Sequence, residues 1–318
     1  MRKPSDFEGI YADEFKEYVK FMKNLGRNFR VETTILKSFC RYLNEILCSE
    51  ITEEAVMGFV YSKENLASQQ YVTRHRIARQ FTEYLSLQNK CEPIRKLPMK
   101  TIPRINIVHV YTKEELSLIL TECGKDSNPR CKINGITFQT ITALLISSGL
   151  RISEALSLEN NDVDLKNGRI FIRNTKYRKS RHLPLNPDMV HLLKKYEKNR
   201  SHRFPLKSET FFVTRENKKI GYYLFENSYH RLIERLNIRN EYGQCARTHD
   251  LRHTFAVMKL IEWYDNGCNL NEMLYVLSTY MGHAHIENTS YYLNAGSELL
   301  KKAAERFKAS DTEEDENE

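Results

Sequence analysis

Ten residues in the middle of the chain, 149–158, read Gly-Leu-Arg-Ile-Ser-Glu-Ala-Leu-Ser-Leu. Residues 136–148 precede them and predict a buried helix that ends at Gly149, because glycine tolerates the left-handed conformation that closes helices. A second helix is predicted from about Ile152 to Leu158, so Arg151 stands just before its start. The stretch therefore predicts two helices joined by a tight turn that carries an arginine.

The residues after this turn predict a small sheet and then further helices. Residues 169–172 (Arg-Ile-Phe-Ile) and 182–185 (His-Leu-Pro-Leu) have strand character, with a basic turn between them. The next helices are predicted to begin at Asp188 and near Tyr222, Thr254 and Leu270. The predicted fold class is therefore mostly α with a small β-sheet, α+β.

The first part of the chain has a wholly helical character. Residues 11–88 carry apolar side chains at spacings of three and four, which predicts four helices. A basic stretch with three prolines follows and cannot be helical throughout, and the predicted capping box of Thr112 and Glu115 then starts a second domain. We predict a helical domain at residues 1–90, a basic linker at 91–107, a second domain at 108–308 and an acidic, disordered tail at 309–318.

The net charge and the cysteine content of the chain indicate which partners and which compartment to expect. The formal net charge is +8, and the last eight residues contain six acids and no base, so the remainder carries +14. Such an excess attracts polyanions, of which duplex DNA is the commonest, although an ordinary basic cytosolic protein can have the same composition. Seven scattered cysteines without a CxxC pair indicate a reducing compartment and give no support for zinc.

The sequence also predicts a soluble, globular protein. No apolar run approaches the ~18–20 residues that span a bilayer. Residues 1–6 are basic and polar with no apolar segment behind them, which predicts no secretory signal. We therefore expect a cytoplasmic protein with no membrane partner.

The fourth predicted helix has two faces. Apolar residues form one side, whereas His75, Arg76 and Arg79 are predicted to lie on a separate basic side. Such a helix can lie along DNA with its basic residues on phosphates, but a merely solvated face is the better explanation for this helix by itself. The three residues are retained as candidate DNA contacts.

Four segments of the second domain carry side chains suited to phosphate chemistry. Their candidate residues are Arg151, Lys176, His249, Arg252, His283 and, nine residues after His283, Tyr292. Each has a simpler explanation in isolation. Arg151 can pair with Glu154, and Lys176 is one of five bases in residues 173–181. His249 and His253 have the i, i+4 spacing of a metal site, which would need a third ligand, and Tyr291 and Tyr292 can simply pack.

Together, the four segments resemble the tyrosine recombinase (phage-type integrase) family across nearly the whole second domain. In that family an arginine follows Gly-Leu at a helix start, as Arg151 does, and a lysine stands on a hairpin turn eight residues before Pro-Leu, as Lys176 does. A His-x-Leu-Arg-His segment is matched at residues 249–253, and a Leu/Met-Gly-His leads by nine residues to the nucleophilic tyrosine, matched at Tyr292. The first domain resembles the family's helical core-binding (SAM-like) DNA-binding domain in character only.

The resemblance implies site-specific recombination, in which DNA is cleaved and rejoined through a 3′-phosphotyrosine. Tyr292 is the implied nucleophile, and the ester that it forms keeps the bond energy, so rejoining needs no ATP. Arg151 and Arg252 can offer bidentate donors to the non-bridging phosphate oxygens. These permanent cations do what a divalent metal does in many nucleases, so neither a metal nor another cofactor is expected.

The remaining candidates serve proton transfer and DNA binding. Lys176 is the implied general acid for the 5′ oxygen, His249 accepts or positions the tyrosine proton, and His283 donates to the phosphate. Lys179 and Arg181, from the basic hairpin, are further candidate DNA contacts.

The implied partner is double-stranded DNA clamped between the two domains, with a dimer on each site and a tetramer when two sites pair. Residues 296–304 predict an amphipathic helix that docks either on a neighbouring subunit or within its own chain. Two other functions stay open: a type IB topoisomerase that relaxes supercoils by the same chemistry, and a regulator that binds DNA without cleaving it. A metal-dependent phosphodiesterase is not favoured, because the sequence has no carboxylate cluster for the metal.

Overall fold

The computed structural model of the chain describes residues 6–27, 29–96, 108–125, 131–173, 180–206 and 208–282. The chain divides into two compact units, Met1–Ile105 and Asn106–Glu318. Several sequence predictions fall outside the described residues: those for Lys176, Lys179, His283, Tyr292, residues 97–107 of the linker, the 296–304 helix and the 309–318 tail.

Four helices build the described part of the first unit. They are α1 (Ala12–Asn24), α2 (Arg30–Glu45), α3 (Glu53–Tyr61) and α4 (Ser68–Ser86). Phe15, Phe39 and Phe81 are fully buried at the centre of their core, and the rings of Phe15 and Phe81 stack with centroids 4.0 Å apart. The core continues past α4 to the buried Ile94, inside the stretch predicted as linker.

Helix α4 buries more of its circumference than the sequence indicated. His75 is 4% exposed and shares the inward side of the helix with Ala78 and Thr82, three and seven residues further on. Burial, followed by the charge of Arg79, lowers the pKa of His75. The prediction that His75 lies on an exposed basic face was therefore wrong, because the buried stripe extends further round the helix than its aliphatic and aromatic residues.

The described part of the second unit contains seven α-helices and one antiparallel sheet. The helices are α5 (Lys113–Gly124), α6 (Gly135–Ser148), α7 (Ile152–Leu156), α8 (Pro187–Arg203), α9 (Tyr222–Leu236), α10 (Thr248–Asp265) and α11 (Leu270–Met281). The strands, in the order β1-β2-β3, are β1 (Val163–Asp164), β2 (Arg169–Ile172) and β3 (Arg181–Pro184). The predicted fold class is thus confirmed. No helix in the described ranges is both long and apolar enough to cross a bilayer.

Local signals explain where the helices of the second unit begin and end. The capping box of Thr112 and Glu115 starts α5, with Glu115 N 3.2 Å from Thr112 Oγ1. Gly149 ends α6 in the left-handed conformation at φ 59°. Helix α10 begins at Thr248, earlier than the predicted start near Thr254, because the carboxylate of Asp250 caps it by accepting the backbone N–H of Arg247 at 2.9 Å.

Candidate active site

Three arginine side chains converge on the C-terminal end of α11. The hydrogen bonds run from Arg181 Nε to Tyr280 O at 2.8 Å, from Arg252 Nη2 to Met281 O at 2.7 Å and from Arg151 Nη2 to Gly282 O at 3.3 Å. A helix end leaves its last carbonyls without helical partners and carries partial negative charge, so guanidinium groups suit it. We call these three arginines and three carbonyls the arginine clasp.

Arg252 ties two helix ends together. It lies on α10, is 1% exposed, and donates from Nη1 to Gly149 O at 2.6 Å as well as to the end of α11. Gly149 suits this turn, because its φ is positive and a Cβ there would lie 2.4 Å from Cδ1 of Phe255. The tight turn after α6 therefore also positions a carbonyl for Arg252.

Arg151 stands immediately before α7 with an extended backbone, and its side chain is 25% exposed. Its backbone N–H donates to Glu154 Oε2 at 3.1 Å, and its Nη1 donates to Glu154 Oε1 at 3.0 Å. The pairing with Glu154, raised as the simpler explanation for Arg151, is therefore real. It does not exclude a phosphate contact, since an arginine has five N–H donors.

Glu154 lies between two guanidinium groups. Its carboxylate, in a residue 7% exposed, also accepts from Arg181 Nη1 at 3.2 Å and Arg181 Nη2 at 2.9 Å. Burial by itself would raise the pKa of Glu154, but the hydrogen bond and charge of Arg181, together with Arg151, lower it overall. The carboxylate is thus held in its charged form.

The structure places Arg181, which was predicted to contact DNA, against groups of the protein. Its side chain is 13% exposed, and Nε, Nη1 and Nη2 all donate to acceptors of the protein. A guanidinium held in this way is part of the site's framework. Gly282 makes room for it: φ is +67°, and a Cβ there would lie 2.7 Å from Arg181 Nη1.

His249 occupies the first turn of α10, one helical turn before Arg252. The residue is exposed to solvent. Desolvation by the surrounding protein, followed by the positive charge of Arg252, lowers its pKa, with Arg247 and Arg151 acting in the same direction. The imidazole is therefore kept neutral near pH 7, which is the form that can accept a proton.

A buried network supports the start of α10. Tyr229 donates its hydroxyl to Tyr111 at 3.1 Å, and Tyr111 donates to the carbonyl of Arg247 at 3.1 Å. Burial raises the pKa of both phenols, so they stay protonated donors. The network fixes the backbone two residues before His249.

The structure thus brings Arg151, His249 and Arg252 together. On α4, in the first unit, Arg76 is exposed and donates to Gln80 Oε1 at 3.2 Å, whereas Arg79 is half-buried and paired with Glu83. The rings of His249 and His253 meet edge to face at 4.7 Å. Within the described ranges, no group of three or more histidine, cysteine or carboxylate side chains could hold a metal ion.

Residues 109–298 match the profile of the phage integrase family. This match covers more than half of the chain and includes all four segments of the candidate site. The chain belongs to the phage integrase family. It is 30% identical over 305 residues to y4rE of Sinorhizobium fredii, a protein named as an integrase/recombinase, with 94% of this chain and 96% of that protein covered.

A further sequence relative and a solved structure support the same family assignment. Tyrosine recombinase XerC of Chlamydia caviae is 24% identical over 321 residues, covering 92% of this chain and 96% of its own length. A lambda integrase dimer bound to a COC′ core site has a similar fold, with a TM-score of 0.62 and 13% identity over 88% of this chain and 94% of that one. The predicted membership in the tyrosine recombinases, and with it the prediction of an enzyme of site-specific recombination, is confirmed.

Sequence reasoning missed two members of the site. Glu154 entered it only as a possible partner of Arg151, and Arg181 entered it as a DNA contact. The spacing of three between Arg151 and Glu154 at a helix start was a usable signal, since a glutamate three residues after the N-cap can accept the backbone N–H of the N-cap residue. Nothing local to Arg181 revealed that its partners lie 27 residues before it and 99 residues after it.

Proposed function

We propose that this chain cleaves and rejoins double-stranded DNA at specific sites, with Tyr292 as the nucleophile. The observation that carries the proposal is the arginine clasp: Arg151 and Arg252 meet at the end of α11, next to His249. The chain that leaves α11 reaches His283 at the next position after Gly282 and Tyr292 nine residues later. The proposed nucleophile therefore follows the end of α11 closely in sequence.

The reaction needs positive charge on the phosphate. As the phenolic oxygen of Tyr292 bonds to phosphorus and the bond to the 5′ oxygen breaks, charge builds on the non-bridging oxygens. Arg151, Arg252 and His283 would donate hydrogen bonds to those oxygens. Arg252 is 1% exposed, so its contact with phosphate requires a shift of the residues that cover it.

Two residues would move the protons. His249, kept neutral by its surroundings, accepts the proton of Tyr292. Lys176 gives a proton to the departing 5′ oxygen, which leaves as a hydroxyl. Rejoining reverses both transfers, and the guanidinium groups supply the charge that a metal supplies in other nucleases.

We further propose a dimer on each DNA site and a tetramer when two sites pair, because recombination joins two duplexes. Support comes from lambda integrase, which is a dimer on its core site and has a similar fold. The compartment that holds this DNA is proposed to be the cytoplasm.

The experiment that tests this function first identifies a DNA site, by recovering the duplex that the protein binds from a pool of random sequences. A plasmid with two copies of that duplex should be inverted or resolved by the protein, in buffer with EDTA and without ATP. Relaxation of a supercoiled plasmid without exchange between the copies would instead indicate a topoisomerase. Binding without cleavage or exchange would indicate a regulator and would contradict the proposal.

A further inference from the structure

The buried carboxylate of Glu154 poses an electrostatic problem for the site. It lies 3.0 Å from Nη1 of Arg151, the guanidinium proposed to bind the scissile phosphate. A charged carboxylate in that position neutralises the guanidinium and competes with phosphate for its donors, more strongly inside the protein than in water. With Arg151 as its sole partner, Glu154 would leave the pair with no net charge to attract phosphate.

Arg181 offsets this effect. Its Nη1 and Nη2 bind the two oxygens of Glu154 at 3.2 and 2.9 Å, which is the bidentate geometry that suits a carboxylate best. The group of Arg151, Glu154 and Arg181 then carries a net charge of one positive unit. Because Arg181 is 13% exposed and Arg151 is 25% exposed, that charge is more accessible at Arg151.

We propose that Arg181 is a positioning residue: it takes up the charge of Glu154, so that Arg151 stays cationic toward the scissile phosphate. Through Nε it also holds the carbonyl of Tyr280 and with it the end of α11. This inference rests on the proposed recombinase function. It gives Arg181 no direct contact with DNA, in agreement with the three protein acceptors that its nitrogen atoms already have.

A charge-rescue cycle tests the proposal. The variants are Arg181→Gln, Glu154→Gln and the double variant, assayed for single-turnover cleavage on a nicked suicide substrate made from the selected duplex. Arg181→Gln should lower the cleavage rate by ~10²-fold, the lower end of the loss when one transition-state donor is removed. In the Glu154→Gln background the same change should lower the rate by at most about tenfold, which corresponds to the one hydrogen bond to the Tyr280 carbonyl that is still lost.

The cycle separates charge balance from mere packing. If Arg181 only filled space, its loss would reduce cleavage equally in both backgrounds, and that result would overturn the proposal. The comparison of Glu154→Gln with the double variant can still be made even if Arg181→Gln by itself fails to fold.

Two further variants complete the experiment. Arg181→Lys, which keeps the charge but not the bidentate geometry, should recover part of the cleavage rate. Arg169→Gln, which removes an exposed arginine of β2 paired with Asp164, is the matched control and should cleave normally.

A DNA-binding measurement tests, independently of cleavage, whether Arg181 contacts a phosphate directly. Each direct phosphate contact contributes about one unit to the slope of log affinity against log salt concentration. In the Glu154→Gln background, Arg181→Gln should leave that slope on the selected duplex unchanged; a fall of about one unit would show a direct contact. If the wild-type chain never forms an adduct, the proposed function fails, whereas the slope still decides whether Arg181 touches DNA.

Discussion

The guanidinium of Arg252 and the carbonyl oxygen of Met281 lie 2.7 Å apart and join α10 to the last turn of α11. Arg252 is 1% exposed, and its other terminal nitrogen binds the carbonyl of Gly149. An arginine that the sequence assigned to phosphate binding is therefore also a structural link between two helix ends. Variants of this site need controls that separate loss of stability from loss of chemistry.

Arg252→Lys should reduce both stability and cleavage. A single ammonium group cannot reach both carbonyls, so the free energy of unfolding should fall by ~1–3 kcal/mol, the cost of a buried acceptor left without its partner. Cleavage of the suicide substrate should fall by ~10²–10³-fold, as expected for a lost transition-state donor. Chemical denaturation and single-turnover kinetics measure the two effects.

Arg200→Lys is the matched control for Arg252→Lys. Arg200 is 5% exposed on α8 and also donates to backbone carbonyls, those of Thr210 and Phe211. The control should lose comparable stability but cleave normally at a temperature where it is folded. An equal loss of cleavage in both variants would contradict a phosphate role for Arg252.

Gly282→Ala should disrupt the arginine clasp. The new Cβ would lie 2.7 Å from Arg181 Nη1, at a backbone φ of +67°. The backbone alone should cost ~1–2 kcal/mol, and displacement of Arg181 should in addition reduce cleavage. Gly267→Ala provides the control, because its φ is +71° and a Cβ there meets nothing within 4 Å. If both variants cleave alike at equal stability, the approach of Arg181 to Gly282 is irrelevant to the reaction.

The pH profile of cleavage should report the lowered pKa of His249. Its usual pKa of 6.5 is depressed by desolvation and by Arg252, so the neutral, proton-accepting form persists to lower pH. Cleavage should stay constant near neutral pH and decline only below a midpoint under 6.5, and His249→Gln should abolish that titration. His191→Gln, at an exposed position of α8, should leave the profile unchanged. A midpoint above the usual value that vanishes in His249→Gln would contradict the assignment.

Arg76 should contribute to DNA affinity through phosphate contact. It is the exposed member of the basic group on α4, whereas the charge of Arg79 is offset by Glu83. Arg76→Gln should reduce the slope of log affinity against log salt by about one unit. Lys20→Gln removes the same charge from an exposed position on α1 and should leave the slope unchanged. An equal effect of the two changes would mean that α4 makes no specific contact.

Much of the fold could be predicted because its signals are local. The periodicity around Phe15 and Phe81, the capping box at Thr112 and the glycine after α6 each act within a few residues. The start of α10 was placed too late, since Asp250 serves both as a cap and as part of a His-x-Leu-Arg-His segment. The two-residue strand β1 was missed because it is too short for an alternating pattern.

The candidate site was predictable in its residue types but not in its connections. Periodicity suggested a basic face at His75, whereas tertiary packing buries that side chain. Arg181 was assigned to DNA because it belongs to a basic hairpin and arginine side chains supply phosphate contacts. Its acceptors on Glu154 and Tyr280 are distant in sequence, and no local pattern records a contact of that kind.

The central claim is that Tyr292 becomes covalently bonded to DNA. The direct measurement is incubation of the chain with a nicked suicide substrate made from the selected duplex, followed by mass spectrometry of the trapped peptide–DNA adduct. We expect the adduct to map to Tyr292, and Tyr292→Phe to shift the duplex in a gel yet form no adduct. Tyr291→Phe should retain the adduct. An adduct of normal yield from Tyr292→Phe, or one that maps to another residue, would contradict the account.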